Sequence, residues 1–515
     1  MATQASAITF LSMPGQAFAD GTRFLQFYFG LPVAMVVLSV TAVPIYRRLK
    51  VFTAYQYLEG RFDLKTRSLA SFLFLLQRGV STGISIYATS IVLSVLLGWN
   101  IAATNLVIGG VVILYTTSGG AKAVNWTQSW QFLVATGGLL LAFLVTVRLL
   151  PPDVGFLDAL HVAGRLGRLN TVDWKLDFST RYNVWSGLIG GFFLALSYFG
   201  TDQTQVGRYL GGRSAAESRL GLLFNGLLKV PMQAFVLLVG VMVFVFYQFA
   251  VPPVFFNPVP LERIRRGPHA AELAAVEARH LAAFEARKTA AQSFVAARRS
   301  GSEAGVEAAG RALESANGRV TSVRKETLEL IAKRDAGADA NDTNYVFLSF
   351  VLAYLPVGLV GLVIAVVFAA AMSSNAAALN SLAGTTVVDV YGRLLRKNRP
   401  DSHYLRVGRL ATVFWGLVAM SVAMYANRLG TLIEAVNILG SLVYGTILGI
   451  FLVAFYLPRV RGTAVFRAAL VSEAIVLACW TATKLEFLWF NVVGCATVVT
   501  LSLALEALTP RRAAA

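Results

Sequence analysis

One pair of hydroxyls and a few ionisable groups stand inside otherwise apolar stretches, and these are where chemistry is expected. Ser373 and Ser374 lie in Phe368–Tyr391 (FAAAMSSNAAALNSLAGTTVVDVY). On a helix, Ala370 falls three and four residues before them, on the same face. Carbonyl and hydroxyl oxygens on one face suit a small hard cation such as sodium. The same small residues equally suit close packing or a helix–helix hydrogen bond. Arg78 (in Leu76-Gln77-Arg78-Gly79), Asp202 and Lys229 (just before Val230-Pro231) are the ionisable groups. A charge in the middle of an apolar span costs about 2.5–3.5 kcal/mol on insertion scales, so each needs a reason to be there. A guanidinium clasps a carboxylate bidentately and an ammonium meets it as a point charge. Arg78 or Lys229 therefore suits an organic anion, but either also suits a structural ion pair with Asp202, or snorkelling to the surface.

The elements that must position these groups read as membrane spans. The chain has 515 residues, 56% hydrophobic and only 14% charged, against about 25% charged in a soluble domain. Apolar runs of roughly 20 residues recur, each long enough to cross a bilayer. Spans are expected near 24–47, 66–97, 101–117, 126–150, 184–208, 217–250, 357–391, 404–427, 431–457, 464–484 and 487–508, after a short apolar piece at 2–15. The net charge of +18 would suit nucleic acid if it formed one patch. It lies instead in short alternate loops (47–67, 121–126, 208–219, 393–409 and 458–461), the positive-inside pattern. These loops are placed in the cytoplasm, and the chain is expected to be a multi-pass protein of the cell's inner membrane. Cys479 and Cys495 fall in apolar segments and read as inert thiols. From about Leu261 to Ala336 the chain turns rich in Ala, Glu and Arg, with a break at Gly301-Ser302. This predicts a solvated helical hairpin inserted at 252–345 on the outer side; its protein partner, if it has one, is not named by the sequence.

Five fragments, in order, carry a resemblance. Ser6–Gly15 (SAITFLSMPG), Thr53–Phe62 (TAYQYLEGRF), Tyr115–Gln131 (YTTSGGAKAVNWTQSWQ), Tyr198–Leu210 (YFGTDQTQVGRYL) and Phe368–Tyr391 resemble the solute:sodium symporter family. The resemblance implies an all-α integral membrane fold, the LeuT-like 5+5 inverted repeat around a midplane site. The first repeat is expected at 1–150, an external loop at 151–183, and the second repeat at 184–251 and 346–457 around the 252–345 insertion. Two peripheral helices would follow at 458–515. Family members usually carry further helix before the Ser6 motif, so the native start is expected upstream of Met1.

The resemblance also implies a site. The coupling ion, Na+, would be held by carbonyls of Ala2, Ala5 and Ala370 and hydroxyls of Ser373 and Ser374. A second sodium, where relatives bind one, uses an Asp and further hydroxyls. Gln128, Ala376 and Ala377 stand at those positions here, so one sodium per cycle is expected. Sugar-carrying relatives contact solute from positions matching Thr9, Tyr28, Ala195, Lys229 and Asn437. Only the Lys agrees in type, and the loss of the sugar-binding amides and carboxylate argues against a sugar. The Arg that meets an acidic sugar in one relative matches Ser81, with Arg78 three residues earlier on the same face. A small organic anion such as a monocarboxylate is the expected solute. Tyr198 matches the aromatic that closes the inner side of the pocket, while Phe199 replaces a neighbouring Trp.

Two rival functions are weighed. The histidines (His161, His269, His280, His403) lie outside the expected spans. The sequence shows no metal motif, no nucleophile with a base and no Walker loop, which argues against a membrane enzyme or ATP-driven transport. A transport-inactive sensor of the same fold would bind solute without accumulating it.

Overall fold

The computed structural model describes residues 7–49, 51, 53–212, 214–334 and 341–509. Ala2 and Ala5, expected as cation ligands, lie outside them. Among the described residues the chain is helical with no strand, and nine helical stretches are long and apolar enough to cross a membrane. It is a multi-pass membrane protein.

The N-terminal part is a broken path. Helix α1 (Ala7–Asp20) contains Pro14 and ends at Gly21, whose φ of +74° favours a residue without a side chain. A tight 3-10 segment, Gly21–Tyr28, leads into α2 (Leu31–Val40) and α3 (Ala42–Leu49). After the short α4 (Gln56–Arg61) comes α5 (Leu64–Leu97), started by Asp63, whose carboxylate accepts from the Thr66 amide at 2.9 Å. At 1.5 Å per residue its 34 residues span about 51 Å, more than the roughly 30 Å hydrocarbon core.

One expected break is absent. Spans were expected at 101–117 and 126–150 with a loop at Ala121–Trp126, but the backbone runs as one helix, α6 (Ile101–Arg148). Gly119-Gly120 has no proline after it, and Ala, Lys and Gln continue the helix readily. A polar stretch interrupts hydropathy without interrupting hydrogen bonding.

The span expected at 184–208 is a broken helix. After α7 (Phe156–Arg165) and a π-helical turn at Ser186–Gly190 come α8 (Gly191–Gly200) and α9 (Gln203–Leu210). They part at Thr201-Asp202, where the Asp202 carboxylate caps α9 by accepting from the Thr204 amide at 2.8 Å. Helix α10 (Ala215–Phe249) carries Lys229 and Pro231. It packs closely on α1: a Cβ at Gly240 would meet the Pro14 carbonyl oxygen at 2.1 Å.

The insertion forms the short α11 (Pro258–Arg265) and then a hairpin, α12 (Ala270–Ser300) and α13 (Glu303–Arg334), turning at Gly301 with φ +74°. It is more firmly attached than a solvated arm. Phe284, Ala291, Phe294 and Val295 are buried along α12. Arg287 donates to the Tyr247 carbonyl at 2.6 Å, satisfying the open end of α10. Arg299 pairs with Asp158 at 2.7 Å and Arg165 with Glu307 at 3.0 Å, tying the hairpin to α7. Burial, with the charges of Arg287 and Arg324, lowers the His280 imidazole to about 4, so it is neutral at pH 7. The helical period predicted the hairpin, but its anchors come from segments far away in sequence.

The chain then runs through α14 (Val346–Tyr354) and α15 (Val357–Thr385), which continues as a π-helical stretch over Thr386–Leu395. Helices α16 (Asp401–Ala423), α17 (Leu432–Tyr456), α18 (Gly462–Ala482) and α19 (Leu488–Leu508) complete it, the last two packing on α17. Asp389, in the π-helical stretch, is fully buried and pairs with the equally buried Arg67 at 2.5 Å, while Thr53 donates to it at 2.8 Å. This locks the start of α5 to the end of α15.

Candidate solute cavity and cation site

A cavity of about 190 Å³ lies where α1, the 3-10 segment, α5, α8, α10, α15 and α17 converge. Its wall includes Thr9, Tyr28, Arg78, Ser81, Ala195, Tyr198, Lys229 and Asn437, brought together from separate helices. Ser374 also reaches the wall; Ser373, Ala370 and Asp202 do not line it. A concave space of this kind, largely apolar with a few polar groups, is the usual form of a small-molecule site.

The two cations of the wall differ in what surrounds them. Arg78 is already paired. Its guanidinium contacts the Asp202 carboxylate, which is fully buried, and donates to the Tyr444 hydroxyl at 3.2 Å. Tyr444 donates to the same carboxylate at 3.0 Å, and the guanidinium lies 5.7 Å from the centre of the Tyr198 ring. This network joins α5 to the break between α8 and α9 and to α17. Of the roles weighed for Arg78, the ion pair is the one the structure displays.

Among the described residues Lys229 has no carboxylate beside it. No hydrogen bond or ion pair reaches its ammonium among the described residues; its neighbour is the Tyr28 ring, 5.9 Å from ammonium to ring centre. The residue is only 2% exposed. A buried ammonium without a counter-ion is costly, and it faces the cavity.

Several expected contacts are engaged with protein partners. The Ser81 hydroxyl accepts from the Gln77 amide at 2.9 Å. Asn437 donates to the Ile433 carbonyl at 2.8 Å, and Gln205 donates to the Tyr198 hydroxyl at 2.8 Å. Spacing alone did not single out Tyr444, Gln77 or Asn375. Gln77 adjoins Arg78 and Asn375 adjoins the serine pair, so a polar residue next to another in an apolar span was the available signal. Tyr444 carries none beyond Gly440 one turn earlier, where a Cβ would strike its ring at 2.8 Å.

On α15, Ser374 donates to the Ala370 carbonyl at 2.8 Å. The Ser373 hydroxyl is buried with no partner among the described residues. An orphaned hydroxyl beside a helix carbonyl, on a helix that packs against α1 and α5, is what half of an oxygen-ligated cation site looks like before the ion is counted. Ala376 is buried and Ala377 half-buried; neither side chain offers oxygen.

Beyond the cavity, α1 and α17 meet in a second polar cluster. Gln16 donates to Asp20 at 2.6 Å and to Glu434 at 3.3 Å, and Glu434 is held by Arg181 at 2.7 Å and by the Tyr182 hydroxyl at 2.9 Å. The cavity thus sits between two polar ties, each joining an element of the N-terminal half to α17.

Comparison with known proteins agrees with this architecture. The chain is 24% identical over 502 residues to a sodium/sialic acid symporter of Proteus mirabilis, covering 97% of this chain and 84% of that protein. It is 30% identical over 220 residues to sodium-coupled monocarboxylate transporter 2 of Mus musculus, covering 43% and 35%. A solved structure of a sodium-coupled sialic acid symporter, substrate-bound and outward-open, matches with a TM-score of 0.73 at 22% identity, over 99% of this chain and 88% of that one. That likeness shows the inverted-repeat transporter fold. A family model described as the sodium:solute symporter family matches residues 1–277 and 324–471. The chain therefore belongs to the sodium:solute symporter family, whose members are sodium-coupled transporters rather than enzymes.

Proposed function

We propose that this protein is an inner-membrane symporter that uses one sodium per cycle to carry a small carboxylate-bearing solute by alternating access. One observation carries the choice of solute. Lys229 is a buried cation on the cavity wall with no counter-ion among the described residues, whereas Arg78 is neutralised by Asp202. A solute carboxylate supplies the missing charge. Relatives named for sialic acid and for monocarboxylates point the same way. Ala370, Ser373 and Ser374 would hold the sodium, with Ala2 and Ala5 completing the set. The apolar side chains of Ala376 and Ala377 favour a single ion. Tyr198 would gate the inner side of the cavity, above the Arg78–Asp202 pair.

Lys229→Met tests the anchor. In proteoliposomes with an inward sodium gradient and labelled propionate as probe, it should raise the half-saturating concentration by about 10- to 100-fold, the worth of a charge-assisted hydrogen bond. Lys229→Arg should recover part of this. Propionate uptake indifferent to Lys229→Met would remove the carboxylate from this position.

The stoichiometry has its own signature. One sodium moving with a neutral solute gains about 2.3 kcal/mol per 100 mV, on the order of 50-fold in accumulation. A monocarboxylate brings a negative charge that cancels this. Propionate uptake should therefore follow the sodium gradient and ignore an imposed potassium-diffusion potential. Strong stimulation by an inside-negative potential would mean a second sodium.

A further inference from the structure

Asn375 follows the serine pair on α15, and neither the oxygen nor the nitrogen of its carboxamide has a hydrogen-bond partner among the described residues. The residue is 1% exposed and lines the cavity. On α5, which packs against α15, the Ser85 hydroxyl is in the same condition: buried, on the cavity wall and without a partner. A carboxamide offers two donors and an acceptor oxygen with two lone pairs. Native proteins rarely leave such a group bare in their interior, and each exception calls for a reason. Neighbouring amides on the same wall are satisfied, Gln77 by Ser81 and Asn437 by Ile433. A leucine has the same branched outline and the same number of heavy atoms at position 375, without the desolvation penalty. The amide is thus an expense to the empty protein, recovered when something polar enters.

We propose that Asn375, assisted by Ser85, determines specificity by hydrogen-bonding a hydroxyl or carbonyl group of the solute. The preferred acid is then a hydroxy- or keto-acid, and an unsubstituted short fatty acid such as propionate is carried with lower affinity. The word "acid" rests on the Lys229 reading; the recognition of a second polar group does not. Sites built to hydrogen-bond a substrate group discriminate strongly against the analogue lacking it, because the protein's polar atoms are then left unpaired.

The test compares probes that differ by one hydroxyl. Binding of lactate and of propionate to the purified protein is measured in sodium, and the uncharged pair lactamide and propionamide repeats the comparison without the carboxylate. The wild-type protein should prefer the hydroxylated member of a pair by about tenfold or more, and Asn375→Leu should bring the ratio close to one. In solute-free detergent solution, Asn375→Leu should also melt at a higher temperature than wild type, which a residue with a structural role would not do. The inference is overturned if the wild-type protein shows no preference in either pair, or if Asn375→Leu keeps the preference or lowers the Tm. It is also overturned if Asn375→Leu abolishes the rise in Tm on adding sodium, which would assign the amide to the cation. A preference confined to the uncharged pair, with propionate indifferent to Lys229→Met, overturns the carboxylate anchor and upholds Asn375.

Discussion

Sodium should cease to drive solute uptake when Ser373 and Ser374 are both replaced by Ala. The Ser373 hydroxyl is buried and unpartnered. The Ser374 hydroxyl spends its proton on the Ala370 carbonyl, which leaves its lone pairs for a cation. Interactions of polar groups with a full charge are worth about 1.5–3 kcal/mol each, so losing two should weaken sodium by on the order of 100-fold or more. The fold should tolerate the change, because Ala is the better helix former and no hydroxyl-dependent tie to another helix is lost. The signature is therefore specific. Without sodium the double variant melts at or above the wild-type temperature, but sodium no longer raises its Tm, since stabilisation by mass action needs a bound ion. Uptake that still follows a sodium gradient in Ser373→Ala/Ser374→Ala proteoliposomes would move the coupling ion to another site.

Breaking the Arg78–Asp202 pair is the second large effect. Removing one partner of a buried ion pair strands the other charge and costs about 3–5 kcal/mol. Arg78→Met leaves the fully buried Asp202 carboxylate with the Tyr444 hydroxyl and the Thr204 amide alone; Asp202→Leu leaves a second bare cation beside the cavity. Each single variant should fall in Tm and lose sodium-driven uptake. The double variant Arg78→Met/Asp202→Leu should recover most of the Tm, because apolar replacement of a whole buried pair is often neutral. It should not recover uptake. The pair ties α5 in the N-terminal half to the α8–α9 break and, through Tyr444, to α17. In the proposed alternating-access cycle such a tie parts and re-forms, and an apolar substitute does not release into water as a charged pair does. Full uptake in the double variant would reduce the pair to packing; a wild-type Tm in either single variant would mean the charges do not depend on each other.

How much of this was legible beforehand can be argued residue by residue. The apolar runs announced a multi-span membrane protein. The helical period and Gly301 announced the hairpin, and the spacing of Ala370, Ser373 and Ser374 put three oxygens on one helix face. These are properties of segments shorter than about 30 residues, and local hydropathy and helical geometry are enough to determine them. Arg78, Asp202 and Lys229 were equally visible as charges in need of a reason. Which of them pair was not: Arg78 and Asp202 are 124 residues apart, and Lys229 is only 27 beyond Asp202. The fold brings Arg78 of α5 to the α8–α9 break, which gave the carboxylate to Arg78 and left Lys229 to the cavity. The same long-range packing left Asn375 bare and anchored the hairpin through Arg287 on the end of α10. It also decided α6, where a polar stretch resembles a loop to a hydropathy average while the backbone remains helical. The sequence by itself determined which groups are too expensive to bury without purpose. The tertiary structure decided which of them the protein satisfies and which it holds open, because a counter-ion or hydrogen-bond partner is chosen by distance in space.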